Sequence, residues 1–425
     1  MSDWMSDYTA ILKEELLPAM GCTEPIAVAY CAALARDALG SRPETVCVWA
    51  SANIIKNVKS VVVPNTGGRR GLEAAAAAGI IAGQSAAGLQ VLAGVTEAQQ
   101  EEIGQYLDTV ECRVRPSEKP YIFHIRVQLS GGGHTASAEL AGHHTNVIEI
   151  RRDESVLLRK DYQEQSSPAG TDRSVLTVEQ IVEYADRVPI EKVQDTLQRQ
   201  IDCNMAIAEE GLRARYGAGI GRILLQAYGT DVHNRAKAYA AAGSDGRMSG
   251  CELPVVINSG SGNQGLTASV PVIVYARELN ASQEQLYRAL LVSNLVTIHL
   301  KTGIGRLSAY CGATSAGCGA GAGITYLYGG RFREIAHTIV NALAIDSGMI
   351  CDGAKASCAA KIASAVEAGL LGMEMQRNGS EFYGGDGIVV KGVENTIRNI
   401  GTLASVGMRE TDRTIVQLMT QGIGQ

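Results

Sequence analysis

Residues 307–330, LSAYCGATSAGCGAGAGITYLYGG, carry no charged side chain and consist mainly of Gly, Ala, Ser and Thr. The stretch is long enough to cross a bilayer, but it lacks the large apolar side chains that make a spanning helix favourable. Such residues hold a helix together only where other backbone comes close, so the run predicts a buried helix packed through small side chains. A second uncharged run, between Glu252 and Arg277, contains two prolines and a polar Gly-rich turn, which excludes a spanning helix.

Small residues are used throughout. The chain has 48 glycines in 425 residues and only 5% aromatics. With 46% hydrophobic and 19% charged residues and a mean hydropathy of +0.02, it is neither a long disordered chain nor a polytopic membrane protein. The net charge of −6 supplies no basic footprint for nucleic acid. The first residues place acids where a signal peptide would have basic and then apolar residues, so a cytoplasmic location is expected. There, ten cysteines point to thiols, metal ligands or redox centres, not disulfides.

Apolar periodicity predicts helix over 8–38, interrupted at Gly21, with Thr23 as N-cap and Pro25 near the start of the second segment. Val46 to Pro64 is rich in β-branched residues and reads as strand with a turn at Asn57. Helices are expected at 71–83 and 96–108. Strands at 109–116, 120–129, 134–140, 145–151 and 155–160 follow with short connections, which favours an antiparallel meander. Residues 161–173 read as a linker. Beyond it come helices at 177–187, 189–213, 219–229, 233–241, 282–299, 305–328, 331–345, 354–371 and 391–420. The expected fold is α+β. Residues 1–172 would form N-terminal helices and an antiparallel sheet domain, and 173–425 a largely α-helical, Gly/Ala-rich domain, on which helices 8–38 could also pack.

Three features carry chemistry. Cys311, Cys318, Cys351 and Cys358 form two C-x6-C pairs. Seven residues along one helix span about 10 Å, too wide for a tetrahedral zinc site with its closer spacing. Asp352-Gly353 breaks the chain after Cys351, so Cys351 on a loop and Cys358 on the next helix can converge on an inorganic cluster among amide donors. The competing reading is cysteine as a small buried hydrophobe. Second, Cys22 in Met20-Gly21-Cys22-Thr23-Glu24-Pro25 sits where a helix dipole would depress its pKa and favour thiolate chemistry. Third, VVINSGSGNQG (255–265) matches G-x-G-x-x-G. Pro271 follows too early for a crossover helix, so the match is read as an anion nest in which Ser259, Gly260, Ser261, Asn263 and Gln264 grip a carboxylate, and not as an NAD site. VVVPNTGGRRG with Thr66, the turn His143-His144-Thr145-Asn146, and Asn53, Lys56 and Asn57 on the preceding strand are further polar candidates, or ordinary turn chemistry.

Taken in order, GCTEP (21–25), PNTG (64–67), HTN (144–146), SGSGNQG (259–265), RLSAYC (306–311) and GMICDGA (348–354) resemble the L-cysteine desulfidase family of serine dehydratase-like alpha-chain proteins, distantly similar to the iron–sulfur L-serine dehydratases. The resemblance implies a 4Fe–4S enzyme without pyridoxal phosphate. By motif, Cys311, Cys351 and Cys358 would hold the cluster, leaving one iron open as a Lewis acid, and Cys22 would be the catalytic thiol. Cys318 falls outside the matched motifs. Asn53, Lys56, Thr66, His144, Thr145, Asn146, Ser259, Gly260, Ser261, Asn263 and Gln264 would surround the substrate. The dehydratases' Ser-Ser-His-Thr motif is missing in its usual form, and Arg69 and Arg70 are unusual for the family's PNTG turn. The expected reaction is L-cysteine to pyruvate, sulfide and ammonia. The alternatives are an L-serine or related dehydratase, an iron–sulfur sensor or binding protein, and a nicotinamide oxidoreductase. The expected partner is a small amino acid, with no nucleic acid and no membrane, and homo-oligomerisation is left open.

Overall fold

A computed structural model describes residues 4–162, 170–305 and 308–420. Most of the expected linker, Arg306 and Leu307 of the RLSAYC motif, and residues 421–425 lie outside that range. The chain begins with α1 (Trp4–Glu15), β1 (Pro18–Met20), α2 (Thr23–Leu39), β2 (Thr45–Ala50), α3 (Ala52–Val58), α4 (Gly71–Ala82) and α5 (Glu97–Thr109). Strands β3 (Cys112–Pro116), β4 (His124–Gly131), β5 (His134–Ala141), β6 (Val147–Arg152) and β7 (Ser155–Arg159) follow. Next come α6 (Val178–Arg187), α7 (Gln194–Arg213), α8 (Ile220–Tyr228), α9 (Val232–Met248), β8 (Pro254–Val256) and α10 (Gly262–Glu278). The last helices are α11 (Gln283–Ile304), α12 (Gly312–Leu327), α13 (Phe332–Ile345), α14 (Cys358–Arg377), α15 (Val393–Thr402) and α16 (Arg409–Thr420). The fold is α+β, as expected.

Six strands form one sheet in the order β3-β2-β4-β5-β6-β7. Strands β4 to β7 make the anticipated meander, while β2 inserts beside β4 and pairs with β3 in parallel. Alternate residues of β2 and β4, such as Val46, Val48, Ile125 and Val127, face α2 and α4 in one apolar core. A second core joins α1 to the helices from α6 onward. The expected 8–38 helix is thus two helices that serve different cores. The short ladder β1–β8 ties the chain just before Gly21 to the strand before the SGSGNQG turn. The pairing is antiparallel, so Cys22 continues past the start of β8 and packs with Met248 of α9.

The small-residue run forms α12 as anticipated, and its packing explains its composition. A Cβ on Gly369 of α14 would lie 2.1 Å from the Gly317 carbonyl oxygen, and one on Gly321 would lie 2.5 Å from that of Gly369. The two helices touch backbone to backbone. Among the described residues no helix is long and apolar enough to cross a membrane.

Several expectations need correction. After β2 the β-branched run turns helical: Ile54, Ile55 and Val58 are buried at helical spacing, so Asn53, Lys56 and Asn57 lie on α3, not on a strand or turn. Residues 262–278 are helical despite Pro271. An interior proline costs ~3 kcal/mol, but Val270, Val272 and Ile273 around it are fully buried, each contributing about 1.5–3 kcal/mol. α10 then leads into α11, which the expected 282–299 helix anticipated. The expected 305–328 helix starts only at Gly312 because Tyr310 pairs with Ile350. The long 391–420 helix is broken by a π turn at Leu403–Gly407.

Candidate active site

Cys311 occupies the N-cap of α12. Its N–H donates to the Met349 carbonyl (2.8 Å) and the Cys351 N–H donates to that of Ala309 (2.6 Å), so two distant segments are laced side by side. Gly353 follows with φ +93°, and a Cβ there would lie 2.0 Å from the Lys56 carbonyl oxygen. Only glycine allows the loop to press on α3 so closely. Cys358 opens α14. Cys311 and Cys351 are hydrogen-bonded through sulfur. The backbone at Ala313, Gly353 and Lys355 works to lower Cys311, Cys351 and Cys358 respectively, and the Cys358 thiol donates to the Gly353 carbonyl (3.7 Å).

Two buried lysines back this group, Lys56 at 2% and Lys301 at 6% exposure. Lys56 Nζ pairs with Asp412 Oδ1 (2.7 Å) of α16. The hydrogen bond from Cys311, with Lys56 and Lys301, overcomes burial and pulls Cys351 down to about 5, while its partner Cys311 is pushed well up. Burial lowers Lys301 to about 8, with Cys351 and Cys311 opposing. One proton is therefore shared between two sulfurs beside two cations. Cys358 is raised by burial. Cys318 is separate: its thiol donates to the Ile339 carbonyl (3.7 Å) and is raised by burial.

Among the described residues no group of three His, Cys, Asp or Glu side chains is placed to hold a metal ion. A four-iron cluster is much larger than one ion, so its cysteines stand further apart. What it requires is thiolates, cationic surroundings and N–H donors aimed at sulfur. Cys351 is already a thiolate, and Cys311 and Cys358 are thiols that would give up a proton on ligation. With Lys56, Lys301 and backbone donors around the group, the donor set fits a cluster.

Cys22, not Thr23, is the N-cap of α2. It forms a small apolar cluster with Val61 and Met248, against which Ala354 and Cys358 pack. The first thiol is thus brought to the side of Cys358. Its thiol donates to Glu24 Oε2 (3.1 Å), which also accepts from Thr23 Oγ1 (3.2 Å), while Asn57 Nδ2 donates to Oε1 (3.2 Å). Burial and the Glu24 carboxylate push the Cys22 thiol well up. This reverses the expected depression: the dipole of α2 is outweighed by burial beside a carboxylate. Burial works to raise Glu24, but His144, the Cys22 thiol and Arg247 hold it below its usual value.

In the SGSGNQG turn, Ser259 (φ +50°) and Gly260 (φ +80°) reverse the chain, and Ser261 caps α10 by accepting the Gln264 N–H (3.4 Å). Asn263 Oδ1 accepts from Arg247 Nη1 (3.2 Å) and Ser244 Oγ (3.1 Å). Gln264 lies beside Cys311, since a Cβ on Gly312 would meet its Cδ at 2.4 Å, and its buried Oε1 has no partner among the described residues. Asn263, Gln264 and Lys56 therefore join the thiols. Asn53 stands on α3 with a buried Oδ1 that has no partner among the described residues. His144 acts on Glu24 and packs edge-on against Phe123.

Other candidates serve their own turns. Ser259 Oγ donates to Asn258 Oδ1 (2.9 Å), Thr66 Oγ1 to the Val63 carbonyl (2.7 Å) and Asn146 Nδ2 to that of Ala141 (2.8 Å). Thr145 is exposed. The PNTG turn adjoins Cys22 through Pro64, which a Cβ on Gly21 would meet at 2.4 Å. Arg69 Nη1 donates back to the Thr66 carbonyl (2.6 Å), so this arginine braces the turn. A polar depression here is lined by Val63, Asn65, Thr66, Gly67, Ser249 and Glu252. Sequence reasoning gave no role to Glu24, Lys301 or Arg247. Their one signal is a charged residue inside an otherwise apolar or small-residue helix.

A family model described as serine dehydratase alpha chain matches residues 86–417. The chain belongs to the serine dehydratase alpha-chain family. The matched span holds Cys311, Cys351, Cys358 and the SGSGNQG turn, while Cys22 and the PNTG turn precede it. Full-length similarity comes from UPF0597 proteins. That of Desulfitobacterium hafniense is 57% identical over 412 residues, covering 97% of this chain and 96% of the relative. Those of Lachnoclostridium phytofermentans (50%; 96% of this chain, 98% of the relative) and Treponema denticola (48%; 97% and 97%) are also similar. Family membership makes the chain a dehydratase-like lyase.

Proposed function

We propose that the chain is an iron–sulfur-dependent, pyridoxal-phosphate-independent L-cysteine desulfidase of the cytoplasm. The observation that carries this reading is the packing of Cys358 against the cluster that holds Cys22, itself bonded to Glu24, together with the lacing of the Cys311 and Cys351 segments. Cys311, Cys351 and Cys358 would hold a 4Fe–4S cluster, which when bound supplies a Lewis-acidic iron for the departing sulfur. Asn263 and Gln264 orient the amino acid, and the buried walls exclude water. Cys22 Sγ takes the α-proton while its own proton passes to Glu24 Oε2, so a thiol held protonated at rest still serves as base. Loss of the α-proton and of sulfide from L-cysteine leaves aminoacrylate. Its tautomer is hydrolysed by one water to pyruvate and ammonia.

The name of the family favours a second reading, an L-serine dehydratase in which water leaves instead of sulfide. Anaerobically reconstituted protein assayed for sulfide from L-cysteine and pyruvate from L-serine separates them. The desulfidase reading requires the larger kcat/KM for cysteine, and a preference for serine replaces it. Protein that binds iron and labile sulfide but turns over neither is a sensor or binding protein.

A further inference from the structure

Arg247 lies in the last turn of α9 and is 4% exposed. An arginine cannot shed its proton, so in an interior its charge calls for a counter-ion. Among the described residues it has none in ion-pair contact. Nη1 donates to the neutral Asn263 (3.2 Å), and the buried Nε has no partner. The nearby carboxylates are engaged elsewhere. Glu24 accepts from Cys22, Thr23 and Asn57, and Asp245 accepts the Gly221 N–H at the start of α8 through Oδ2 (3.2 Å), while its buried Oδ1 has no partner among the described residues and makes no ion pair with Arg247.

The guanidinium lies on the first residue of α10. A Cβ on Gly262 would stand 2.3 Å from Nε and 2.9 Å from Cζ. Gly262 follows the cap Ser261 and begins a 17-residue helix, whose positive end adds to the arginine charge. Both the Cys22 thiol and the Glu24 carboxylate feel Arg247.

We propose that Arg247 anchors the α-carboxylate of the substrate over Gly262 at the start of α10. This rests on the amino-acid lyase reading and adds to it a required acid group one bond from the carbon that Cys22 deprotonates. Amino acids with a free carboxylate are ligands, and their amides and decarboxylated amines are not.

The test uses L-alanine, which has the α-groups of the substrate but no leaving group, on the cluster-loaded full-length chain, read by calorimetry. L-Alanine should bind, and L-alaninamide should bind at least roughly 30-fold more weakly, as loss of a charged hydrogen-bond pair implies. Arg247→Met, close in size but uncharged, should lose L-alanine binding by a similar factor, keep its iron and, without ligand, melt no lower than wild type. Gly262→Ala, whose methyl displaces the guanidinium, should reproduce the loss if Arg247→Met does not fold. Equal binding of alanine and its amide, no binding of L-alanine, or affinity within threefold of wild type in the folded variants overturns the anchor. Intact carboxylate-dependent binding without sulfide release strikes the desulfidase reading instead.

Discussion

Cys351 and Cys22 approach one place from opposite ends of the chain, and their surroundings are electrically opposite. Cys351 has two lysines, a hydrogen-bonded thiol and the Gly353 backbone beside it, and burial fails to keep it neutral. Cys22 is more deeply buried than Cys351 and faces a carboxylate, and burial wins. A helix start is common to Cys22 and Cys311, so position on a helix does not set thiol chemistry here. The charged neighbours do. The contrast matches a division of labour: Cys351 stands ready as a ligand, with Cys311 and Cys358 to release their protons when metal binds, whereas a proton carrier must still hold a proton to pass on.

The largest effect expected from breaking this contrast is on iron. Cys311→Ala, Cys351→Ala and Cys358→Ala should each lower bound iron by about tenfold or more, because three thiolates act as one donor set. Cys318→Ala should keep its iron, and iron analysis showing the reverse pattern would dissolve the trio. Next is turnover: Cys22→Ala should retain cluster absorbance and lose activity by about 10²–10⁴-fold. Glu24→Gln should cost less, roughly 10–100-fold, and move the acid limb of the pH–rate profile. An unmoved profile would show that Glu24 does not receive the proton.

Reactivity gives a sharper but smaller readout. In cluster-free protein, alkylation followed by mass spectrometry should label Cys351 with a midpoint near pH 5, since a lowered thiol pKa leaves thiolate above that pH. Cys22 should label only well above the usual thiol range. Lys56→Met should move the Cys351 midpoint upward; a midpoint that stays put denies Lys56 its share. The smallest effect belongs to Thr145→Ala, an exposed turn residue, with activity within about twofold and stability within roughly 0.5 kcal/mol of wild type.

The sequence made the motifs and their convergence legible, and left the reasons for convergence hidden. Glycine and alanine content announced α12, and alternation announced the meander, because both record local burial. Pro271 misled because local propensity is overridden where the whole helix surface is covered. The strand read through Asn53 and Lys56 failed because three buried β-branched residues at helical spacing look alike in composition to a strand. The opposite shift of Cys22 was invisible, since it depends on how deeply the tertiary fold buries the thiol beside Glu24, with Arg247 opposing. Arg247 itself had no motif: what marks it is a missing partner, and absence of a partner is not written in a single chain.

The contact between Gly317, Gly321 and Gly369 has a further consequence for iron. α12 and α14 carry Cys311 and Cys358 at their starts, and the two rods meet through Gly317, Gly321 and Gly369 with the methyl of Ala365 beside them. No larger side chain fits between these glycines, so the gauge between the two sulfurs is held tightly against substitution. A methyl at residue 369 would act as a shim, and its damage would appear first as a metal retained too loosely in a chain that still folds.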